Sequence, residues 1–202
     1  MRFRAVFIDF GGVIVRTEDK GPRTRQAERL GMKSRDLEKI IFESETSQRA
    51  STGEIPEEAH WQAVAEALGV SRPESDKITA GFFSGDRVDA ALLDFLRSLR
   101  PERKVGLISN AWSGLRALIT LQKIEDVFDE MIISAEVGLI KPDPRIFLLA
   151  LEKLSALPEE SVFLDDVLVN VEAARSVGMT GIHFTHPEKT LEELKQLLFN
   201  NR

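Results

Sequence analysis

Short runs of apolar, β-branched residues recur along this chain: AVFIDF at 5 to 10, KVGLIS at 104 to 109, EMIIS at 130 to 134, SVFLDD at 161 to 166 and TGIHF at 180 to 184. Compact apolar runs of this kind mark strands buried on both faces. From the second run onward the spacing between them turns helical: AALLDFLRSL at 90 to 99, GLRALITLQ at 114 to 122, RIFLLALEKL at 145 to 154 and VNVEAARSVG at 169 to 178. Strand and helix alternate, which predicts an α/β fold with a mostly parallel sheet and helices on both its faces.

The interval from 16 to 85 breaks this rhythm. It holds no convincing strand but several amphipathic stretches, RTRQAERLG, RDLEKIIFES and PEEAHWQAVAEALGV. In the last, Trp61, Val64, Ala65 and Leu68 recur three or four apart on one helical face. The pattern predicts a helical insertion after the first strand, with residues 1 to 15 and 86 to 202 forming the α/β core. Such an insert would lie over the carboxyl ends of the strands, where open parallel sheets bind ligands.

Composition narrows the chemistry. The 202 residues include 43% hydrophobic ones and no cysteine, which allows a sizeable core and excludes disulfides, thiolate metal sites and a cysteine nucleophile. A cysteine-free chain is easiest to reconcile with the cytoplasm. A formal net charge of -6 with acids and bases mixed argues against a nucleic-acid surface and for a small-molecule partner. The opening MRFRAVFIDFGGVIV mimics a basic-then-apolar signal, but Asp9 interrupts the apolar run and it reads as a strand. No run approaches the roughly 20 apolar residues that a membrane span needs.

Four polar clusters fall at or beyond the ends of predicted strands: Asp9; Ser109 with Asn110; Lys141 in GLIKPDP; and Asp165 with Asp166. Taken singly, each has an ordinary explanation as a turn, a helix cap or a solvated loop residue. Parallel strands bring all four to one sheet edge. Three carboxylates gathered there repel one another unless a cation compensates, and all-oxygen ligation suits a hard ion such as Mg²⁺. Lys141 adds a second positive charge, and Ser109 with N–H groups at a helix start can hold phosphate oxygens. The set fits phosphoryl transfer, where positioning and charge neutralisation do most of the work.

These segments in this order, DFGGV, LISNA, Lys141 in GLIKPDPRIF, and FLDDVLVNVEAARSVG, resemble the four motifs of the haloacid dehalogenase-like superfamily. The resemblance covers essentially the whole chain and is to the phosphatases with a helical cap after the first strand. It implies a Rossmann-like sheet with residues 16 to 85 as the cap. It implies Asp9 as the nucleophile, and Mg²⁺ held by the Asp9 carboxylate, the Gly11 carbonyl and Asp166, with Asp165 and Asn170 behind them. By the same resemblance Ser109 and the Asn110 N–H hold the phosphoryl oxygens and Lys141 neutralises Asp9 and the phosphate.

Gly11 departs from the pattern, because most family phosphatases carry there a second aspartate that shuttles protons. Its absence puts proton transfer in doubt and points to substrates with good leaving groups. Two alternatives stay open: a 2-haloacid dehalogenase in which Asp9 attacks carbon without a metal, and a phosphate-binding regulatory protein with reduced turnover. His60, Trp61, Trp112, His183 and His186 read as packing or structural residues, although the spacing leaves a substrate-facing role open for His60, Trp61 and Trp112. Arg16 and Lys20 are placed where they could meet a substrate anion.

Overall fold

The computed structural model of the chain describes residues 3–199. Five parallel strands form the sheet: β1 (Ala5–Ile8), β4 (Lys104–Ser109), β5 (Glu130–Ile133), β6 (Ser161–Asp165) and β7 (Thr180–His183), in the order β5-β4-β1-β6-β7. All five coincide with the apolar runs of the sequence, because each strand is covered on both faces and few of its positions have to be polar. Alternation along β1 assigns the faces. Val6 and Ile8 pack with α6 (Ala90–Ser98), α7 (Leu115–Leu121) and α11 (Pro187–Phe199) through Leu96, Ile119 and Leu194. After β5 the chain makes one turn, α8 (Ser134–Val137); Ala5 and Phe7 pack on the other side with α9 (Pro144–Leu154), through Phe147 and Leu151, and with α10 (Leu168–Ser176), through Ala174.

The strand order reverses at β1, whose neighbours β4 and β6 lie later in the chain on either side. This is the switch point at which parallel sheets open a crevice beyond their carboxyl ends.

Between β1 and α6 the chain makes five helices: α1 (Gly21–Arg29), α2 (Ser34–Glu38), α3 (Glu45–Ser51), α4 (Glu57–Leu68) and α5 (Arg72–Phe83). A π turn, Lys39–Glu43, extends α2. Ala27, Leu37, Ile41, Val64 and Phe82 form a separate buried cluster there, so these helices have a small core of their own. The sequence shows no strand in this interval, but β2 (Val15–Thr17) and β3 (Asp86–Val88) pair antiparallel at its two ends. Three-residue strands are too short to leave an alternation signal. The ribbon brings the start and end of the insertion together. No helix among the described residues is long and apolar enough to cross a membrane.

Candidate active site

The site grows out of strand register. Ile8 of β1 pairs with Leu164 of β6, and the ladder continues as the Asp9 N–H donates to the Leu164 carbonyl at 2.9 Å. In a parallel ladder partners project to the same face, so Asp9 and Asp165 stand side by side, in line with Phe7 and Phe163. Two buried carboxylates side by side need a cation, and Lys141 supplies it. Its Nζ lies 2.8 Å from Asp9 Oδ1 and 2.6 Å from Asp165 Oδ2, above the Phe163 ring. Its side chain is 1% exposed.

Lys141 is held in place by an arrangement that the sequence does not reveal. The Asn110 side chain pairs with the Lys141 peptide unit, donating from Nδ2 to its carbonyl and accepting its N–H on Oδ1, both at 2.8 Å. Asn110 thus ties the loop after β4 to the loop carrying the lysine. Asp165 is saturated: besides Lys141 it accepts from the Val167 N–H at 2.7 Å and from Asn170 Nδ2 at 3.1 and 3.2 Å. With its hydrogen-bonding capacity spent inside the protein, Asp165 orients Lys141, and α10 supplies Asn170 to hold it.

After Asp9 the chain turns tightly. The Ile14 and Val15 N–H groups both donate to the Phe10 carbonyl, and Gly12 adopts a φ of +78°. A Cβ on Gly12 would lie 2.2 Å from Asp166 Oδ2, so glycine at this position lets the Asp166 carboxylate rest against the loop. A Cβ on Gly11, by contrast, would meet nothing within 4 Å. The missing carboxyl there is not a demand of the backbone.

Asp9, Asp165 and Asp166 each place an oxygen within 4.8 Å of the others. Burial pushes the Asp9 carboxyl up to about 6; Lys141 pulls it down and the Asp165 charge adds to the rise. Asp166 is exposed as a residue, but the partial burial of its carboxyl against the loop, then the Asp165 charge, also raises it. One ammonium therefore undercompensates three acids. An all-oxygen donor set around this excess charge fits a hard divalent cation, with Asp9 and Asp166 as the carboxylates available to it.

The structure brings Asp9, Lys141, Asp165, Asp166 and Asn170 together, with buried Ser109 at the end of the adjacent strand β4 and Gly11 exposed on the turn. It does not bring in Lys20, which is exposed, or free Arg16, which is paired with Asp89 at 2.8 Å. His183 bonds to the Asp166 carbonyl at 2.9 Å, and His186 lies just before α11, where its carbonyl accepts the Thr190 N–H. His60 is buried against Trp61 and Trp112 and bonds to Thr46 at 3.0 Å.

One contact was invisible in the sequence. Glu57 at the start of α4 accepts the Gly114 N–H on Oε2 at 2.5 Å and Trp61 Nε1 on Oε1 at 2.9 Å. α7 begins without a side-chain cap of its own, and the only local hint is glycine at that position. A residue 57 places away in the chain fills the role and ties the helical insertion to α7 beside the sheet.

A sequence family described as haloacid dehalogenase-like hydrolase matches residues 3–178. The sesquiterpene phosphatase astK of Aspergillus oryzae is 28% identical over 201 residues, covering 97% of each chain. A stretch of 71 residues is 45% identical to mouse acyl-CoA dehydrogenase family member 10, but the match spans only 7% of that much longer protein. Among solved structures, a haloacid dehalogenase family enzyme from Bacteroides thetaiotaomicron, in complex with magnesium and inorganic phosphate, superposes with a TM-score of 0.74 at 24% identity, covering 90% of this chain and 93% of the other.

Proposed function

The chain belongs to the haloacid dehalogenase-like hydrolase family, and from that premise we propose that it is a Mg²⁺-dependent phosphatase working through an aspartyl-phosphate. The observation that carries this reading is Lys141 bridging Asp9 and Asp165 beside Asp166. A lysine locked between two buried acids neutralises the nucleophile so that a phosphate dianion can approach it. Similarity over nearly the whole chain to a phosphatase, astK, supports the same chemistry.

In this reading an Asp9 carboxylate oxygen attacks phosphorus, the bond from phosphorus to the leaving oxygen breaks, and an acyl phosphate forms on Asp9. Water then attacks that phosphorus, releasing inorganic phosphate and regenerating the carboxylate. Lys141 balances the charge that Asp9 and the phosphoryl oxygens bring together. Ser109 and the Asn110 N–H hold phosphoryl oxygens at the end of β4. Mg²⁺, held by Asp9, the Gly11 carbonyl and Asp166, would supply the positive charge that the phosphoryl group needs. The helical insertion, residues 16 to 85, acts as the cap.

Gly11 shapes the substrate range. The carboxylates lining the cavity over the site are already engaged: Asp76 by Arg72, Asp86 by Arg23, and Glu57 by two N–H groups. None replaces the missing acid, so the leaving group departs without a side-chain proton and weakly basic leaving groups are favoured. The dehalogenase alternative is disfavoured by Asp166, a carboxylate that would repel an anionic haloacid without an ion to offset it.

The test is phosphate release from a panel of aryl, acyl and alkyl phosphates with Mg²⁺ and with excess chelator. Release that requires the metal and falls from aryl and acyl to alkyl esters is expected. Release undiminished by chelator would remove the metal from the account, and no release from any member would leave phosphate binding without turnover as the better reading.

A further inference from the structure

We infer that the alcohol portion of the substrate is a bulky apolar group, aryl or hydrocarbon, rather than a sugar; this rests on the phosphatase reading and names the substrate class of the same site. A cavity of about 1140 Å³ opens between the helical insertion and the sheet domain and reaches the site loops at Phe10, Gly11 and Asn110. Binding sites for whole small molecules run to roughly 300–1,000 Å³, so a phosphoryl group with a few carbons leaves most of this space unfilled.

The wall is built for apolar contact. Phe42, Trp61 and Phe83 come from the insertion and Trp112, Leu115 and Leu118 from the sheet domain. Phe42 stacks on Trp112 with ring centroids 6.0 Å apart, and Trp61 meets Trp112 edge-on at 5.0 Å. Phe42 and Leu118 remain 41% and 40% exposed although they line this cavity. Large apolar side chains held open to solvent inside a concave site mark a surface that a ligand covers.

The polar inventory points the same way. Each charged residue of the lining is matched within the protein: Arg16 by Asp89 at 2.8 Å, Arg23 by Asp86 at 3.1 Å and Arg72 by Asp76 at 2.7 Å. Glu57 is occupied by Trp61 and Gly114. Sugar hydroxyls are held most strongly by charged groups directed at them, and here the charged groups are turned to one another, leaving neutral side chains such as Gln48 and Gln122 to meet a ligand. Burying an apolar body costs none of these pairs.

The measurement is kcat/KM, with Mg²⁺, for phenyl, 4-ethylphenyl, 4-butylphenyl and 4-hexylphenyl phosphate, a series in which apolar bulk grows while leaving-group basicity barely changes. Each added methylene is expected to raise kcat/KM by about two- to fourfold until the cavity is filled. Leu118→Gln and Phe42→Ser should each cut the hexyl-to-phenyl ratio by about fivefold or more. A flat or falling series with phenyl phosphate still hydrolysed overturns the apolar assignment and leaves the phosphatase reading standing. A rising series whose slope neither variant changes also overturns it, because the preference would then arise outside this cavity. No phosphate released from any of the series or from acetyl phosphate overturns the phosphatase reading itself, and the inference with it.

Discussion

Replacing Lys141 by methionine keeps most of the side-chain volume and removes the one charge that holds two buried carboxylates together. In the parent Nζ sits 2.8 Å from Asp9 and 2.6 Å from Asp165, and the side chain is 1% exposed, so solvent cannot take its place. Removing one partner from a buried ion pair costs about 3–5 kcal/mol. Asp9 sets the pH dependence of that cost. Even with Lys141 present its carboxyl stands at about 6 instead of 3.8 because of burial. A carboxyl raised by folding holds its proton more tightly in the native state, so that stability falls as pH rises from about 3.8 to about 6 and then levels. Without the ammonium the rise is larger and the falling window extends upward. Urea unfolding in the presence of chelator at pH 5, 6.5 and 8 measures this. The variant should lose about 3–5 kcal/mol at pH 8 and detectably less at pH 5, where Asp9 can be neutralised by a proton. A penalty below about 1 kcal/mol at pH 8, or one of equal size at all three pH values, would refute the view that Lys141 is the counter-ion of these acids.

Three further outcomes follow from the loops. Gly11→Asp, whose Cβ has open space, should raise kcat/KM for alkyl phosphates by about 10²- to 10⁴-fold and for aryl phosphates far less, flattening the leaving-group dependence; an unchanged dependence would show that the proton comes from elsewhere. Asp166→Asn should weaken Mg²⁺ binding, read by calorimetry, by at least tenfold while leaving urea stability within about 1 kcal/mol, since Asp166 is exposed. Gly12→Ala should destabilise the fold and weaken Mg²⁺ binding together, because the new methyl carbon overlaps the Asp166 carboxylate and φ is +78°; a variant matching the parent in both would show that the loop moves aside freely.

The parallel sheet was legible in the sequence because each strand is apolar on both faces. Asp9, Asp165 and Asp166 stand where apolar runs stop and Lys141 lies in the loop beyond another, so parallel strands were enough to gather them at one edge. The sequence could not show how they are held. Asn110 offers a hydroxyl-free amide that reads as a helix cap, yet its side chain clasps the Lys141 peptide 31 residues away. Glu57 looks like an ordinary acidic first-turn residue of α4, and only the packing of the helical insertion against the sheet's helices turns it toward Gly114. The strands β2 and β3 were missed because three residues carry no periodicity, and the apolar cavity because its walls come from helices that are distant in sequence. Contacts between segments far apart in the chain leave no local pattern to read.

If Asp9 carries the phosphoryl group, the group can be trapped there by mixing the protein with Mg²⁺ and ³²P-labelled phenyl phosphate, quenching in acid within the first turnover, and mapping the label by peptide mass. The label is expected on Asp9 and is lost in Asp9→Asn along with turnover. Sustained phosphate release by Asp9→Asn, with no label trapped on the parent, would contradict this role for Asp9 and make water the attacking group.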